Sequence, residues 1–377
     1  MDARSNVVRS NVVRRHVAPT APTVENVVRV SCLRVGVVGT GVMGTDHAER
    51  LAGRIAGASL VAVSDPDTAR AAALAAAVEG CRALEDPLDL IADPEVDAVL
   101  IASPGFAHEQ QVMACIEHRK PTLCEKPLAM DSESALRLVE AERRAGQALV
   151  QVGFMRRFDP EYAAMKRLLD SGRLGRTLLL HNVHRNKTVT DTFRSEMIVL
   201  DSLVHEVDIC RWIFADEVAA VTVLTPAATR WAPSGVADPQ MAVFQMSRGG
   251  LATTEVFVNS QVGYDVRCEA VAELGSVAIG QDPGPVVRHD NRSGRDVPDD
   301  FRVRFAQAYD VEVQAWVDAC RTGEIVGATA WDGYAAAAVC TAGVESLQSG
   351  ATVTVELASD HGVAPSSDVD TSTTPTS

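Results

Sequence analysis

The sequence predicts an α/β protein in which an N-terminal, doubly wound parallel sheet is followed by an α+β domain with a large, mostly antiparallel open sheet. First, residues 33–145 alternate short, nearly continuous apolar runs with helical segments, which is typical of parallel strands buried on both faces. Second, the apolar runs after residue 152 are partly alternating, as strands with one packed face should be. A chain of 377 residues, 46% of them hydrophobic, is long enough for two such cores.

The first half opens with an apolar run that ends in glycine, and each later strand is also followed by a helical pattern. The predicted strands are 33–38, 59–64, 96–103 and 121–124, and the predicted helices are 42–55, 68–78, 107–119 and 132–145. Strands that alternate with helices in this way form a parallel sheet.

In the second half, most strands follow one another through turns rather than helices, which favours antiparallel pairing. The predicted strands are 177–184, 218–224, 241–246, 251–258, 264–271 and 276–279. The predicted helices are 160–171, 200–210, 305–321 and 331–349.

Two terminal segments lack the pattern of a packed core. Residues 1–31 repeat Ser-Asn-Val-Val-Arg and have no helix caps, which indicates a flexible N-terminal extension. Residues 358–377 are rich in Ser, Thr, Pro and Asp, which indicates a disordered tail. The remaining chain is expected to form a dinucleotide-binding domain over 32–152 and a substrate-binding and oligomerisation domain over 153–357.

Composition excludes several classes of function. A formal net charge of -15 would repel phosphate backbones, so nucleic acid is not an expected partner. No run reaches the roughly 18 consecutive apolar residues of a membrane span, and the start lacks a secretory signal, so a cytoplasmic protein is expected. The eight cysteines have no zinc-site spacing and are expected to be reduced, mostly buried thiols, with no metal site.

A glycine-rich turn follows the first strand and opens the first helix. In Gly39-Thr40-Gly41-Val42-Met43-Gly44, the first glycine makes the tight turn, the second lets the backbone approach a pyrophosphate, and the third lets the helix pack closely on the sheet. The positive end of the helix then faces the phosphates. This arrangement predicts a dinucleotide site of the Rossmann type, although glycines alone also occur in ordinary turns.

Asp65 ends the second strand about 20 residues beyond these glycines, where a carboxylate accepts hydrogen bonds from the adenosine ribose of NAD. Because a carboxylate repels a 2′-phosphate, Asp65 favours NAD over NADP. Arg70, one helical turn further on, leaves the choice of cofactor open. The alternative role for Asp65 is to cap the following turn.

The segment Leu200-Asp-Ser-Leu-Val-His-Glu-Val-Asp-Ile-Cys210 carries acidic residues and a histidine inside an apolar run. On a regular helix, Asp201, His205 and Asp208 stand at i, i+4 and i+7 and share one face. Lys126, in Cys-Glu-Lys-Pro, leaves another predicted parallel strand at the edge where ligands gather. The structural alternatives are a helix cap for Asp201, a core histidine for His205 and a surface lysine for Lys126.

Taken together, the glycine turn, "EKP" and "DSLVHEVD" resemble the Gfo/Idh/MocA oxidoreductase family. The stretches "LVQVGFMRRFD", "GYDVRCE", "AYDVEVQAW" and "TAWDGY" are similar to the members of that family that oxidise inositols, and the similarity extends from about residue 33 to 357. The resemblance implies a Rossmann domain, a homo-oligomer (tetramer or dimer) and NAD-dependent oxidation of a cyclitol hydroxyl, with myo-inositol to 2-keto-myo-inositol as the expected reaction.

The resemblance also implies roles for particular residues. The catalytic residues would be Lys126, Asp201 and His205. Further cofactor contacts would be Ser103, His108, Glu125 and Lys126. Substrate contacts would be Lys126, Met155, Arg156, His184, Asn186, Asp201, His205, Asp208 and Tyr264. Individually, several of these have structural alternatives: Arg156 as a surface charge, His184 as a strand histidine, Tyr264 as a packed aromatic and Met155 as core. Glu206 is expected to face elsewhere, because it neighbours His205.

Oxidation of an alcohol needs a base for the hydroxyl proton while hydride leaves the same carbon. His205 suits that role because an imidazole titrates near neutrality, and Asp201 is expected to orient it. Lys126 would stabilise the negative charge that develops on the oxygen. The alternative functions are a dehydrogenase of another inositol isomer, an aminocyclitol or a hexose, and, from a different class, a non-catalytic NAD-binding sensor.

Overall fold

The computed structural model describes residues 32–280 and 286–359. The predicted N-terminal extension and residues 360–377 of the predicted tail lie outside the described residues.

The first sheet has seven strands in the order β15-β6-β5-β4-β1-β2-β3. They are β1 (Leu33–Val38), β2 (Ala58–Ser64), β3 (Arg82–Leu84), β4 (Ala98–Ile101), β5 (Thr122–Glu125), β6 (Val150–Gly153) and β15 (Ala328–Thr329). β1 to β6 pair in parallel, and β15 joins β6 in the antiparallel direction. The order 3-2-1-4-5-6 is that of the dinucleotide-binding doubly wound fold, which confirms the predicted class.

Helices cover both faces of this sheet. They are α1 (Val42–Gly53), α2 (Thr68–Ala76), α3 (Pro87–Ala92), α4 (His108–Glu117) and α5 (Ser132–Ala145). Along β1, Val37 packs with α1 and α2, whereas Val38 packs in the cluster that contains α3 to α5. The strands are therefore buried on both sides, as their nearly continuous apolar runs require.

The second sheet has the order β12-β11-β7-β10-β9-β8-β16. Its strands are β7 (Thr177–Arg185), β8 (Val218–Leu224), β9 (Gln240–Met246), β10 (Leu251–Phe257), β11 (Asp265–Ala272), β12 (Gly275–Ile279) and β16 (Val353–Thr354). β7 and β10 pair in parallel at the centre, and every other pair is antiparallel. Buried and more exposed residues alternate along β9 to β11, so one face packs and the other stays open, as predicted.

The helices of the second half lie mainly against the packed face. They are α6 (Pro160–Asp170), α7 (Ser195–Met197), α8 (Val204–Phe214), α9 (Phe301–Arg304), α10 (Ala306–Cys320) and α11 (Ala330–Ser349). A π-helix over Ile198–Leu203 runs directly into α8. A short hairpin, β13 (Val287–His289) with β14 (Arg292–Gly294), precedes α9.

The C-terminal part of the chain also contributes to the first half. Val313, Trp316 and Val317 of α10 are buried in the cluster formed by α1, α2 and the first sheet. The Gln314 side chain exchanges two hydrogen bonds with the backbone of Ala56, at 2.8 and 3.1 Å. The proposed boundary at residues 152 and 153 stays a prediction.

Within the part of the chain that the structure describes, no helix has both the length and the apolar character to cross a membrane. All eight cysteines are free, and five of them are buried: Cys115, Cys124, Cys210, Cys268 and Cys340.

Candidate active site

The candidate site lies at the carboxyl ends of β1, β2, β4 and β5, where the π-helix and α8 of the second half approach Lys126.

Each of the three glycines in the turn after β1 has its own structural role. Gly39 has φ +88°, a left-handed conformation that favours glycine. A Cβ on Gly44 would lie 1.8 Å from the Gly39 carbonyl oxygen, so only glycine allows this approach of α1. A Cβ on Gly41 would meet none of the described atoms within 4 Å, so that side of the turn is open to a ligand. The turn therefore fits a pyrophosphate.

Asp65 lies beside this turn and is 4% exposed. Its Oδ2 accepts hydrogen bonds from Thr40 N and Thr40 Oγ1 at 2.7 and 2.9 Å, and its Oδ1 accepts from Asp67 N and Arg70 Nη2 at 2.8 and 2.7 Å. Burial opposes the charge, but these donors outweigh it and hold the pKa of Asp65 below its usual range. The N-cap of α2 is Asp67, so Asp65 supports the turn before that helix but does not cap the helix itself.

Two further predicted cofactor contacts, Ser103 and His108, lie in or next to the loop that follows β4. The His108 ring nitrogens lie 2.8 Å from the Ser103 carbonyl oxygen and 2.7 Å from the Pro127 carbonyl oxygen. The Ser103 hydroxyl donates to Gln111 at 2.6 Å. His108 thus ties the loop after β4 to the loop after β5.

Glu125 and Lys126 follow directly from β5. The Glu125 carboxylate lies 2.8 Å from His47 Nε2 on α1. The peptide bond between Lys126 and Pro127 is cis. Glu125 is therefore held by the first half, while Lys126 extends toward the second.

The Lys126 ammonium group meets the second half at Asp201. Its Nζ lies 2.6 Å from Asp201 Oδ1 and 3.1 Å from the Asp201 carbonyl oxygen. Burial opposes the charge on the lysine, but the carboxylates of Asp201 and Glu125 outweigh it and raise its pKa above the ordinary value. The lysine in turn holds the pKa of Asp201 below its usual range. Both groups are charged at neutral pH.

His205 is 7% exposed and faces positive charge rather than a carboxylate. Burial, followed by Arg156, Lys126 and His184, lowers the pKa of His205 well below 6.5. Its ring centroid lies 6.3 Å from that of His184, and its Nδ1 has no hydrogen-bond partner among the described residues. The expected pairing of Asp201 with His205 is not observed, because Asp201 pairs with Lys126 instead. His205 is a neutral imidazole at pH 7.

The helix that carries these residues departs from the expected regular geometry. Ile198–Leu203 form a π-helix, whose longer turns advance fewer degrees per residue than an α-helix does. The i, i+4, i+7 face therefore does not hold: Asp201 meets Lys126, whereas Asp208 turns away to Arg157.

Asp208 is fully buried in a network of charges at the base of the helix. It accepts from Arg157 at 2.5 and 3.0 Å, and Arg157 and Arg211 also contact Asp332 at 3.1 and 2.8 Å. Burial raises the pKa of Asp208 despite this pairing. The structure thus places Asp208 in a support network between α8 and α11 and not with Lys126 and His205.

Glu206, which the helical spacing excluded, contacts two of the predicted substrate-binding residues, Arg156 and His184. It is 1% exposed and accepts a hydrogen bond from Arg156 Nη1, and its Oε2 lies 3.1 Å from His184 Nδ1. Burial opposes its charge, but Arg156 and His184 outweigh it and lower the pKa of Glu206. No signal in the sequence identified Glu206, because the burial of Arg156, which requires a carboxylate partner, is known only from the structure.

The three remaining predicted substrate contacts are Tyr264, Asn186 and Met155. The Tyr264 ring packs edge-on against His184, with centroids 5.8 Å apart. The Asn186 Oδ1 is buried and has no hydrogen-bond partner among the described residues, so it is available to a ligand hydroxyl. Met155 is 1% exposed and belongs to the hydrophobic core.

Comparisons with known proteins agree with this architecture. The model of an oxidoreductase family with an NAD-binding Rossmann fold matches residues 33–154, and the model of the Gfo/Idh/MocA C-terminal domain matches residues 162–278.

Relatives with similar sequences cover most of the chain. The inositol 2-dehydrogenase 4 of Saccharopolyspora erythraea is 53% identical over 331 residues, which are 88% of this chain and 98% of that protein. The inositol 2-dehydrogenase of Mycolicibacterium smegmatis is 52% identical over 336 residues, or 87% and 97% of the two chains. The crystal structure of myo-inositol dehydrogenase from Lactobacillus casei, in complex with NAD(H) and myo-inositol, has a TM-score of 0.84 and 35% identity and covers 87% of this chain and 98% of that one.

Proposed function

Because the chain belongs to the Gfo/Idh/MocA oxidoreductase family, we propose that it oxidises the 2-hydroxyl of myo-inositol with NAD, giving 2-keto-myo-inositol. The relatives named inositol 2-dehydrogenase support the substrate class. The observation that carries the proposal is the meeting of Lys126 with Asp201 at 2.6 Å, beside a buried His205 and at the same sheet edge as the glycine turn.

The polar groups around this meeting point suit a cyclitol. A ring of hydroxyls requires several donors and acceptors that converge from different elements. Arg156 follows β6, His184 and Asn186 come from β7 and its end, and Tyr264 precedes β11. We propose that these four side chains read the hydroxyls that do not react, and that Glu206 fixes Arg156 and His184 in place.

Oxidation breaks the O–H and the C–H bond of one carbinol group. The proton passes to His205, which is available because it is unprotonated at neutral pH. Bound NAD supplies the acceptor for the hydride, held by Gly39–Gly44 and Asp65. The partly buried Lys126 ammonium stabilises the negative charge that develops on the oxygen. Asp201 keeps the lysine charged and oriented.

The test is turnover of purified protein with NAD and a panel of polyols, followed as NADH formation, with the ketone product identified by NMR. The expected result is preference for myo-inositol and oxidation at carbon 2. Preference for another inositol isomer, an aminocyclitol or a hexose would identify that compound as the substrate instead of myo-inositol. Tight NADH binding without turnover of any polyol would favour a non-catalytic sensor.

We also propose that the open face of the second sheet forms a homo-oligomer contact, in a tetramer or dimer. On that face, Met241 and Leu251 are 36% and 42% exposed, and Val183, Val243 and Phe257 are only partly buried. Apolar residues on a sheet face favour burial against a partner. Sedimentation or light scattering tests the assembly, and a monomer at all concentrations would contradict it. A cytoplasmic location belongs to the same proposal and is tested by cell fractionation.

A further inference from the structure

The carboxylate of Asp65 is saturated with donors. A carboxylate offers about four acceptor positions on its two oxygens. Asp65 accepts four hydrogen bonds from described residues: two from Thr40, one from Asp67 and one from Arg70. Ribose hydroxyls that bind here must therefore displace one of these donors.

Arg70 is the donor that can leave with least disturbance. The N–H groups of Thr40 and Asp67 are fixed by the glycine turn and by the start of α2, and Thr40 is 1% exposed. The Arg70 side chain is 49% exposed, and ion pairs at such exposed positions contribute little to stability. Its Nε also lies 3.3 Å from Thr40 Oγ1, so the guanidinium lies beside both the glycine turn and Asp65.

We propose that Arg70 leaves Asp65 when an adenosine ribose binds and that its guanidinium then holds a 2′-phosphate, so that the protein binds NADP(H) as a second, weaker cofactor. Guanidinium groups suit phosphate because they donate two parallel hydrogen bonds. Asp65 keeps its negative charge, so NADPH binds less tightly than NADH. The inference rests on the proposed function only for the identity of the NAD site, since it concerns cofactor binding and not the polyol.

The test is titration of the purified full chain with NADH and NADPH, followed by their fluorescence and without polyol, so that a wrong substrate assignment does not affect the outcome. For Arg70→Ala, the affinity for NADPH is expected to fall about tenfold or more, the loss of a charge-assisted contact, while the affinity for NADH stays within about threefold or increases. Arg70→Gln, which keeps a donor without the charge, is expected to lose NADPH affinity in the same way.

The matched control is Arg82→Ala. Arg82 is also 49% exposed and forms an ion pair of the same length, 2.7 Å, with Asp93. Its loss is expected to leave the affinities for both cofactors unchanged. Three results would each overturn the proposal. They are equal losses of NADH and NADPH affinity in Arg70→Ala, a loss of NADPH affinity in Arg82→Ala as large as that in Arg70→Ala, and a wild-type protein that binds no NADPH.

Discussion

Replacement of Glu206 by glutamine tests whether the buried Glu206 carboxylate stabilises the fold and holds Arg156 and His184 in position. The Glu206 and Arg156 side chains are each 1% exposed, so Glu206→Gln leaves a guanidinium buried beside a neutral amide. Removing one partner of a buried ion pair costs about 3 to 5 kcal/mol, and the lower value applies here because the amide keeps the shape and an acceptor oxygen. About 3 kcal/mol is a change of roughly a hundredfold in the unfolding equilibrium.

The assay is urea denaturation of wild type and variant across pH. The pKa of Glu206 is lower in the folded protein, so its contribution is complete above the unfolded value of about 4.3 and is lost as the pH falls through the folded value. The difference in free energy of unfolding between wild type and Glu206→Gln is therefore expected to be constant near neutrality. It is expected to become smaller below about pH 4. The KM for myo-inositol is expected to rise, because Arg156 and His184 lose their common anchor.

Glu109→Gln is the matched control, since Glu109 forms a 2.7 Å ion pair with Arg137 on the surface, where the two side chains are 36% and 53% exposed. Its expected cost is less than about 1 kcal/mol. If Glu206→Gln were as stable as the control variant, or if its loss of unfolding free energy did not depend on pH, the buried Glu206 charge would not stabilise the fold.

Three further predictions concern the cofactor turn and the reaction. Lys126→Met is expected to lower kcat by about a hundredfold to a thousandfold, the effect of losing one stabilising donor, and unchanged steady-state turnover would remove its assigned role. Gly41→Ala is expected to fold normally but to bind NADH more weakly, whereas Gly44→Ala, whose Cβ meets the Gly39 carbonyl oxygen, is expected to lose thermal stability; equal stability of the two variants would contradict the glycine argument. Because the pKa of His205 is well below 6.5 and the base must be unprotonated, kcat/KM for myo-inositol is expected to decline only below pH 6.5, and a decline that begins above neutrality would count against His205.

Much of the fold could be predicted from the sequence because buried parallel strands and open antiparallel strands have different hydrophobic patterns. The elements that were missed are short. Arg82–Leu84 is three residues long and largely exposed, and Val150–Gly153 is a four-residue strand placed where the pattern changes. The return of α10 and β15 to the first half could not be predicted, because a helical pattern does not identify the surface on which a helix packs.

The candidate site was predicted in part. The sequence placed Lys126 at the end of a parallel strand, and the structure brings it to Asp201. The predicted common face of Asp201 and Asp208 failed because a π-helix precedes α8 and nothing in the apolar pattern marks its longer turns. The exclusion of Glu206 failed because residues 204–211 of α8 are all buried, so neighbouring side chains on different faces both meet polar partners. The catalytic roles of Lys126, Asp201 and His205 stay predictions.

The proposed reaction requires that one alcohol group contacts both the Lys126 amine and the His205 ring. The most direct measurement is a crystal structure of the protein with NADH and myo-inositol. A single hydroxyl oxygen is expected within about 3 Å of Lys126 Nζ and of a His205 ring nitrogen, with Arg156 and His184 on other hydroxyls of the ring. Lys126 and His205 on different hydroxyls, or a cyclitol bound away from either residue, would contradict it.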